Sequence, residues 1–126
     1  MITSYLDFHL GMVFLSEEHQ EKFKKFLELS GVTANRDRER ASLFYILSGN
    51  EELYNQIDKI YSFTDNMIKT KGKKILSSSG ERLLKLAFQL YNGLSNSISV
   101  TEVFQNLDSN NKRLALNAIA YRYDIA

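Results

Sequence analysis

The 126-residue chain has no cysteine, no proline and no tryptophan. Without cysteine there is no disulfide, no thiolate metal ligand and no thiol nucleophile, so the fold must rest on its core alone. Without proline the strongest helix breaker is missing, and glycine, asparagine and serine must end the helices. Histidine is scarce: His9 and His19 are the whole supply. Neither stands in a His-Glu-x-x-His or comparable spacing, so a zinc site would need both rings plus carboxylates drawn from separate segments. An excess of one charge is missing too. Sixteen Lys and Arg face fifteen Asp and Glu, for a net charge of +1, which argues against long-range attraction to nucleic acid or an anionic membrane and leaves only local patches. No apolar run approaches the roughly 20 residues that cross a bilayer. The first fifteen residues lack a basic start, and Asp7 and His9 interrupt their apolar residues, so they do not read as a signal peptide. A cytoplasmic protein is expected.

What is present is an ordinary globular composition, 44% hydrophobic and 25% charged, which excludes collagen-like and disordered readings. One domain over residues 1–126 is expected, long enough to bury roughly two thirds of the surface its unfolded form exposes.

Five glycines, at 31, 49, 72, 80 and 93, divide the chain after Leu15 into pieces of helix length. Ser16 followed by Glu17 and Glu18 is a helix start, and His19, Phe23, Phe26, Leu27 and Ser30 share a face that Gly31 can end in the left-handed conformation. Asn35 or Asp37 caps a second helix through Leu47, with Gly49 as its stop. Asn50 opens a third whose stripe is Leu53, Ile57, Ile60 and Tyr61. Ser78 and Glu81 form a capping box before a fourth helix ending at Asn92 and Gly93. That helix is apolar on so many sides that it is expected to be central, or covered by a second copy in a homo-oligomer. Ser99 and Glu102 form another box, opening a fifth helix to about Leu107. Asp108 or Ser109 caps the last, with Leu114, Leu116, Ala118, Ile119 and Tyr123 as its apolar face. The fold class is therefore all-α: a bundle of five or six short helices with an N-terminal arm over residues 1–15. Period-two alternation of Phe8, Leu10, Met12 and Phe14 allows a short strand in the arm. Residues 64–77 read as a basic loop, with one helical turn around Asn66 to Lys69.

The concentrated charge lies in that loop. Lys69, Lys71, Lys73 and Lys74 precede Ser78, Ser79 and Arg82, placing ammonium groups before a serine-rich helix start whose free N–H groups suit a phosphorylated small molecule. The P-loop order is absent and Glu81 opposes an anion there, so a solvated loop followed by a cap accounts for the same residues. Arg36, Asp37, Arg38, Glu39 and Arg40 alternate in sign and satisfy one another. There is no Gly-x-Ser-x-Gly elbow and no acid, base and nucleophile constellation, so neither an enzyme nor a cofactor is expected. Seven Tyr and eight Phe supply more aromatic surface than a core of this size demands. Tyr54, off the Leu53, Ile57, Ile60 stripe, and Tyr121, near the C-terminal end, are the candidate protein-interface anchors.

The run Leu43 to Tyr54, LFYILSGNEELY, resembles a family of short proteins from low-GC Gram-positive bacteria and their phages. Phe14 to His19, Ile60 to Phe63, Leu86 to Asn92 and Leu107-Asp108 carry the same likeness, over about residues 14–122. The family has no assigned activity and so lends no catalytic residue. It is usually composed differently where this chain has Lys71 to Ser77, which weighs against the lysine loop as a shared site. The resemblance implies a small non-enzymatic protein, phage or prophage borne, that binds and interferes with a host protein such as a defence component.

Overall fold

Residues 41–48, Ala-Ser-Leu-Phe-Tyr-Ile-Leu-Ser, contain no charge, and in the computed structural model every one of them is buried. The structure describes residues 6–7, 12–69, 75–92 and 98–125. The charge-free octapeptide forms most of α2 (Arg38–Gly49), the axis around which α1 (Glu17–Ser30), α5 (Ser78–Asn92) and α7 (Ser109–Arg122) pack. A helix apolar on all sides belongs at the centre of its domain. The expectation that residues 81–92 hold that place is corrected, because Glu81, Arg82, Lys85 and Gln89 give α5 a polar stripe and keep one side at the surface. The two serines of α2 are buried at no cost in lost partners: Ser42 donates to the Arg38 carbonyl at 2.6 Å and Ser48 to that of Tyr45 at 3.2 Å.

The helix starts follow the capping residues. Ser16, Asp37, Asn50, Ser99 and Asp108 each accept from the backbone N–H three residues on. Ser99 and Glu102 complete a full capping box. Gly31 ends α1 at φ 71°. Gly49 is different. It remains in α2, and a Cβ there would meet the Leu114 side chain and lie 2.7 Å from His19 Nε2. The position needs space for α7 and α1 to approach rather than a left-handed turn; Asn50 supplies the stop.

Four further expectations shift. The third helix is two, α3 (Glu51–Asn55) and α4 (Ile57–Ile60), broken at Gln56, whose amide donates to the Ile75 carbonyl at 2.7 Å. Tyr61 leaves the stripe to enter β3 (Tyr61–Ser62), which pairs with β4 (Met67–Ile68) in an antiparallel hairpin. This replaces the helical turn expected near Asn66, which instead takes φ 56° in the connection. The cap of α5 is Ser77, accepting from Gly80 N–H at 3.1 Å, rather than Ser78. α6 covers only Val100–Phe104, short of the expected Leu107. The arm contains the expected strand as β1 (Leu6–Asp7) paired with β2 (Met12–Val13); Met12 and Phe14 are buried while Val13 is exposed, the alternation of a half-covered strand.

The core joins two aromatic groups. Phe14, His19, Phe23 and Tyr45 meet with ring centroids 4.6 to 6.4 Å apart, and Phe26, Phe44, Tyr54, Tyr61 and Phe63 form the other. Among the described residues no helix is long and apolar enough to cross a membrane.

Candidate functional site: an arginine and tyrosine cleft

The residues expected to hold a phosphate are in part engaged with the chain itself. Glu52 of α3 places its carboxylate at the start of α5, accepting from the Ser77 N–H and hydroxyl, both at 2.7 Å. A Cβ at Gly80 would collide with that carboxylate, so the glycine makes room for an internal anion at the helix N-terminus. Ser78 accepts from Arg82 at 2.6 Å, Ser79 is half-buried in the first turn, and Lys69 Nζ donates to the Asp58 carbonyl at 2.6 Å. Lys71, Lys73 and Lys74 lie outside the described residues.

Both candidate anchor tyrosines make contacts within the fold. Tyr54 stacks on Phe26 at 5.5 Å with the Lys22 ammonium 4.2 Å from its ring centre. Tyr121 is only 4% exposed. Its hydroxyl donates to the Ala34 carbonyl at 2.9 Å, and burial pushes its pKa up to about 12. The apolar stripe of α7 is Leu114, Ala115, Ala118 and Tyr121, a three- and four-residue spacing, so Tyr121 is the inward tyrosine and Tyr123 and Leu116 point out.

That outward turn of Tyr123 builds a site which the sequence did not announce. Asp37, Glu39 and Arg40 at the start of α2, Gln89, Tyr91 and Asn92 at the end of α5, and Arg122 and Tyr123 at the end of α7 line an open cleft of about 610 Å³. Arg40 forms one wall: its guanidinium donates to Asp37 at 3.1 Å and to the Tyr91 hydroxyl at 3.0 Å. Its Nε is buried with no hydrogen-bond partner among the described residues. Burial opposes the Arg40 charge, but the Tyr91 hydrogen bond and the neighbouring Asp37 outweigh it, and its pKa is raised overall. Arg122 forms the opposite wall. It donates through Nε to the Leu90 carbonyl at 2.8 Å, which covers an otherwise open C-terminal group of α5, and its guanidinium sits 5.0 Å from the Tyr123 ring centre. Tyr123 is 59% exposed.

The cleft therefore presents two cationic planes, two amphipathic rings, two amides and two carboxylates, of which Asp37 is already held by Arg40 and by the Arg40 N–H. A guanidinium takes a carboxylate through two parallel hydrogen bonds, and a tyrosine supplies contact area with little entropy to lose. Among the described residues no imidazole, thiol or serine lines it. Among the described residues no three His, Asp or Glu side chains are placed to hold a metal ion.

The profile of a family of unknown function, DUF6075, matches residues 10–125. The chain belongs to DUF6075. No curated protein and no solved structure shows a significant match. The DUF6075 match spans every described element except β1, so the three helices that build the cleft all lie within it. The sequence offered one signal for the cleft: Arg40, Tyr91 and Tyr123 each stand at the end of an expected helix, where side chains from neighbouring elements meet.

Proposed function

We propose that this DUF6075 member is a non-enzymatic binding protein of the cytoplasm, and that its cleft receives an acidic segment of a partner protein. The observation that carries this reading is the convergence of Arg40, Arg122, Tyr91 and Tyr123 from three helices into one open cleft, a composition typical of the residues that dominate protein interfaces. Following the resemblance to short Gram-positive and phage proteins, the partner is a host protein, a defence component, and the chain is phage or prophage borne. The test is affinity capture from host lysate with the wild type beside Arg122→Glu and Tyr123→Ala. A partner held by the wild type and lost by both variants supports the reading; equal capture by all three removes the cleft from it.

The alternative is a phosphorylated small molecule bound by Lys69, Lys71, Lys73, Lys74, Ser78, Ser79 and Arg82. Charge reversal at Lys73 and Lys74 separates the two. It abolishes nucleotide binding if the loop is the site and leaves cleft-dependent capture untouched if it is not.

A further inference from the structure

A second face of the molecule shares no residue with the cleft. Val13 of β2, Leu116 and Ala120 of α7, and Ile125 just beyond α7 surround a mainly apolar groove of about 400 Å³. Val13, Leu116 and Ile125 are 51%, 55% and 62% exposed. Ile125 is held against the helix end by a fixed backbone motif: its N–H donates to the Ala120 carbonyl at 2.8 Å and that of Asp124 to Tyr121 at 3.2 Å, with Asp124 in the left-handed region at φ 56°. Val13, Leu116 and Ile125 border one groove, so their exposed apolar surface is contiguous rather than scattered, as at surfaces that dock a partner.

The charges at the ends of this face say what covers it. Arg113, beside Leu116 toward the start of α7, lines the adjoining groove with Phe104 and Lys112 and has no hydrogen-bond or ion-pair partner among the described residues. At the far end stands Asp124, with a side chain 84% exposed and only a 3.6 Å approach to Arg38. A stripe with a cation at one end, an anion at the other and apolar residues between them is complementary to itself turned by 180°. The positions balance: a twofold axis crossing α7 between Ala118 and Ile119 sets Arg113 of one copy level with Asp124 of the other, and Leu116 level with Tyr121, next to the small Ala120. The small Ala120 leaves space for the opposing Leu116. An acidic or a basic partner segment would match only one end.

We propose that this face docks a second copy of the chain, with the two α7 helices antiparallel and Arg113 paired to Asp124 of the other copy. Sedimentation equilibrium of the full chain over a range of concentrations tests it. The weight-average mass is expected to rise from 14.5 kDa toward twice that value. Leu116→Asp holds the protein monomeric, whereas Leu29→Asp, at an exposed leucine of α1, leaves association unchanged. Arg113→Glu and Asp124→Lys each weaken association about tenfold, since each removes two symmetry-related ion pairs, and the double variant recovers it. A chain monomeric throughout the range, association insensitive to Leu116→Asp, equal loss with Leu29→Asp, or a double variant no better than the singles would each overturn the proposal. Recovery in the double variant cannot come from a folding defect.

Discussion

Lowering the pH should destabilise this protein through one imidazole. His19 is 3% exposed. Its Nδ1 accepts from the Leu15 N–H at 3.1 Å, which places the proton on Nε2, and Nε2 donates to the Tyr45 carbonyl at 2.9 Å. The ring is thus built in as a neutral group with both nitrogens used. Burial is the main force holding its pKa down to about 4, helped by the Lys22 charge and opposed by the Tyr45 hydrogen bond. In the unfolded chain the ring titrates near the ordinary value of about 6.5. The unfolded state therefore binds the proton more readily, so the contribution is fully present above about pH 6.5 and is lost as pH falls toward about 4. A gap of some 2.5 pH units at about 1.4 kcal/mol each gives roughly 3 kcal/mol. That is a large share of the roughly 6 to 19 kcal/mol that a domain of this length commands. Urea unfolding at a series of pH values, with wild type and His19→Gln in parallel, measures it. The wild type should lose about 3 kcal/mol more than the variant between pH 7 and pH 4. Parallel slopes in the two proteins would refute the assignment of a buried neutral ring.

Three smaller perturbations probe the packing. Gly49→Ala should destabilise by about 1 to 3 kcal/mol in chemical unfolding, because the new methyl meets Leu114 and the His19 ring and the helix-propensity gain of about 1 kcal/mol does not offset the collision. Tyr45→Phe removes a hydroxyl that donates to the Val13 carbonyl and accepts from Asn117 at 3.2 Å, so a loss of about 1 to 2 kcal/mol is expected, with β2 exchanging its amide protons faster. Glu52→Ala should lower the melting temperature by a few degrees, since the partly exposed cap at Ser77 is worth about 1 kcal/mol; an unchanged melting temperature would show that Glu52 does not hold the α5 terminus.

The parts of the fold that the sequence disclosed are those governed by neighbours along the chain. Ser16, Asp37, Asn50, Ser99 and Asp108 cap helices because an oxygen there reaches an N–H three residues on, which requires no knowledge of the rest of the molecule. What depended on distant residues was hidden. Gly49 reads as a stop until Leu114 and His19 are seen against it. Tyr61 continues a helical stripe until Ile68 offers it a strand partner. The serine turn before α5 reads as an open anion cradle until Glu52, 25 residues earlier, is found in it. The cleft was missed for a related reason: Arg40, Tyr91 and Arg122 are separated by 51 and 31 positions and meet only once α2, α5 and α7 have packed. At the end of α7 the expected face includes Tyr123 and leaves Tyr121 outside, whereas Tyr121 is the buried one and Tyr123 the exposed one.

Recognition through the cleft is most directly tested by calorimetric titration of the captured partner into the wild type, Arg122→Glu and Tyr123→Ala. If these side chains anchor the complex, each substitution should weaken binding about thirtyfold or more, the effect of losing an interface anchor worth about 2 kcal/mol, while circular dichroism stays that of the wild type. Equal dissociation constants for all three folded proteins would place recognition elsewhere on the molecule.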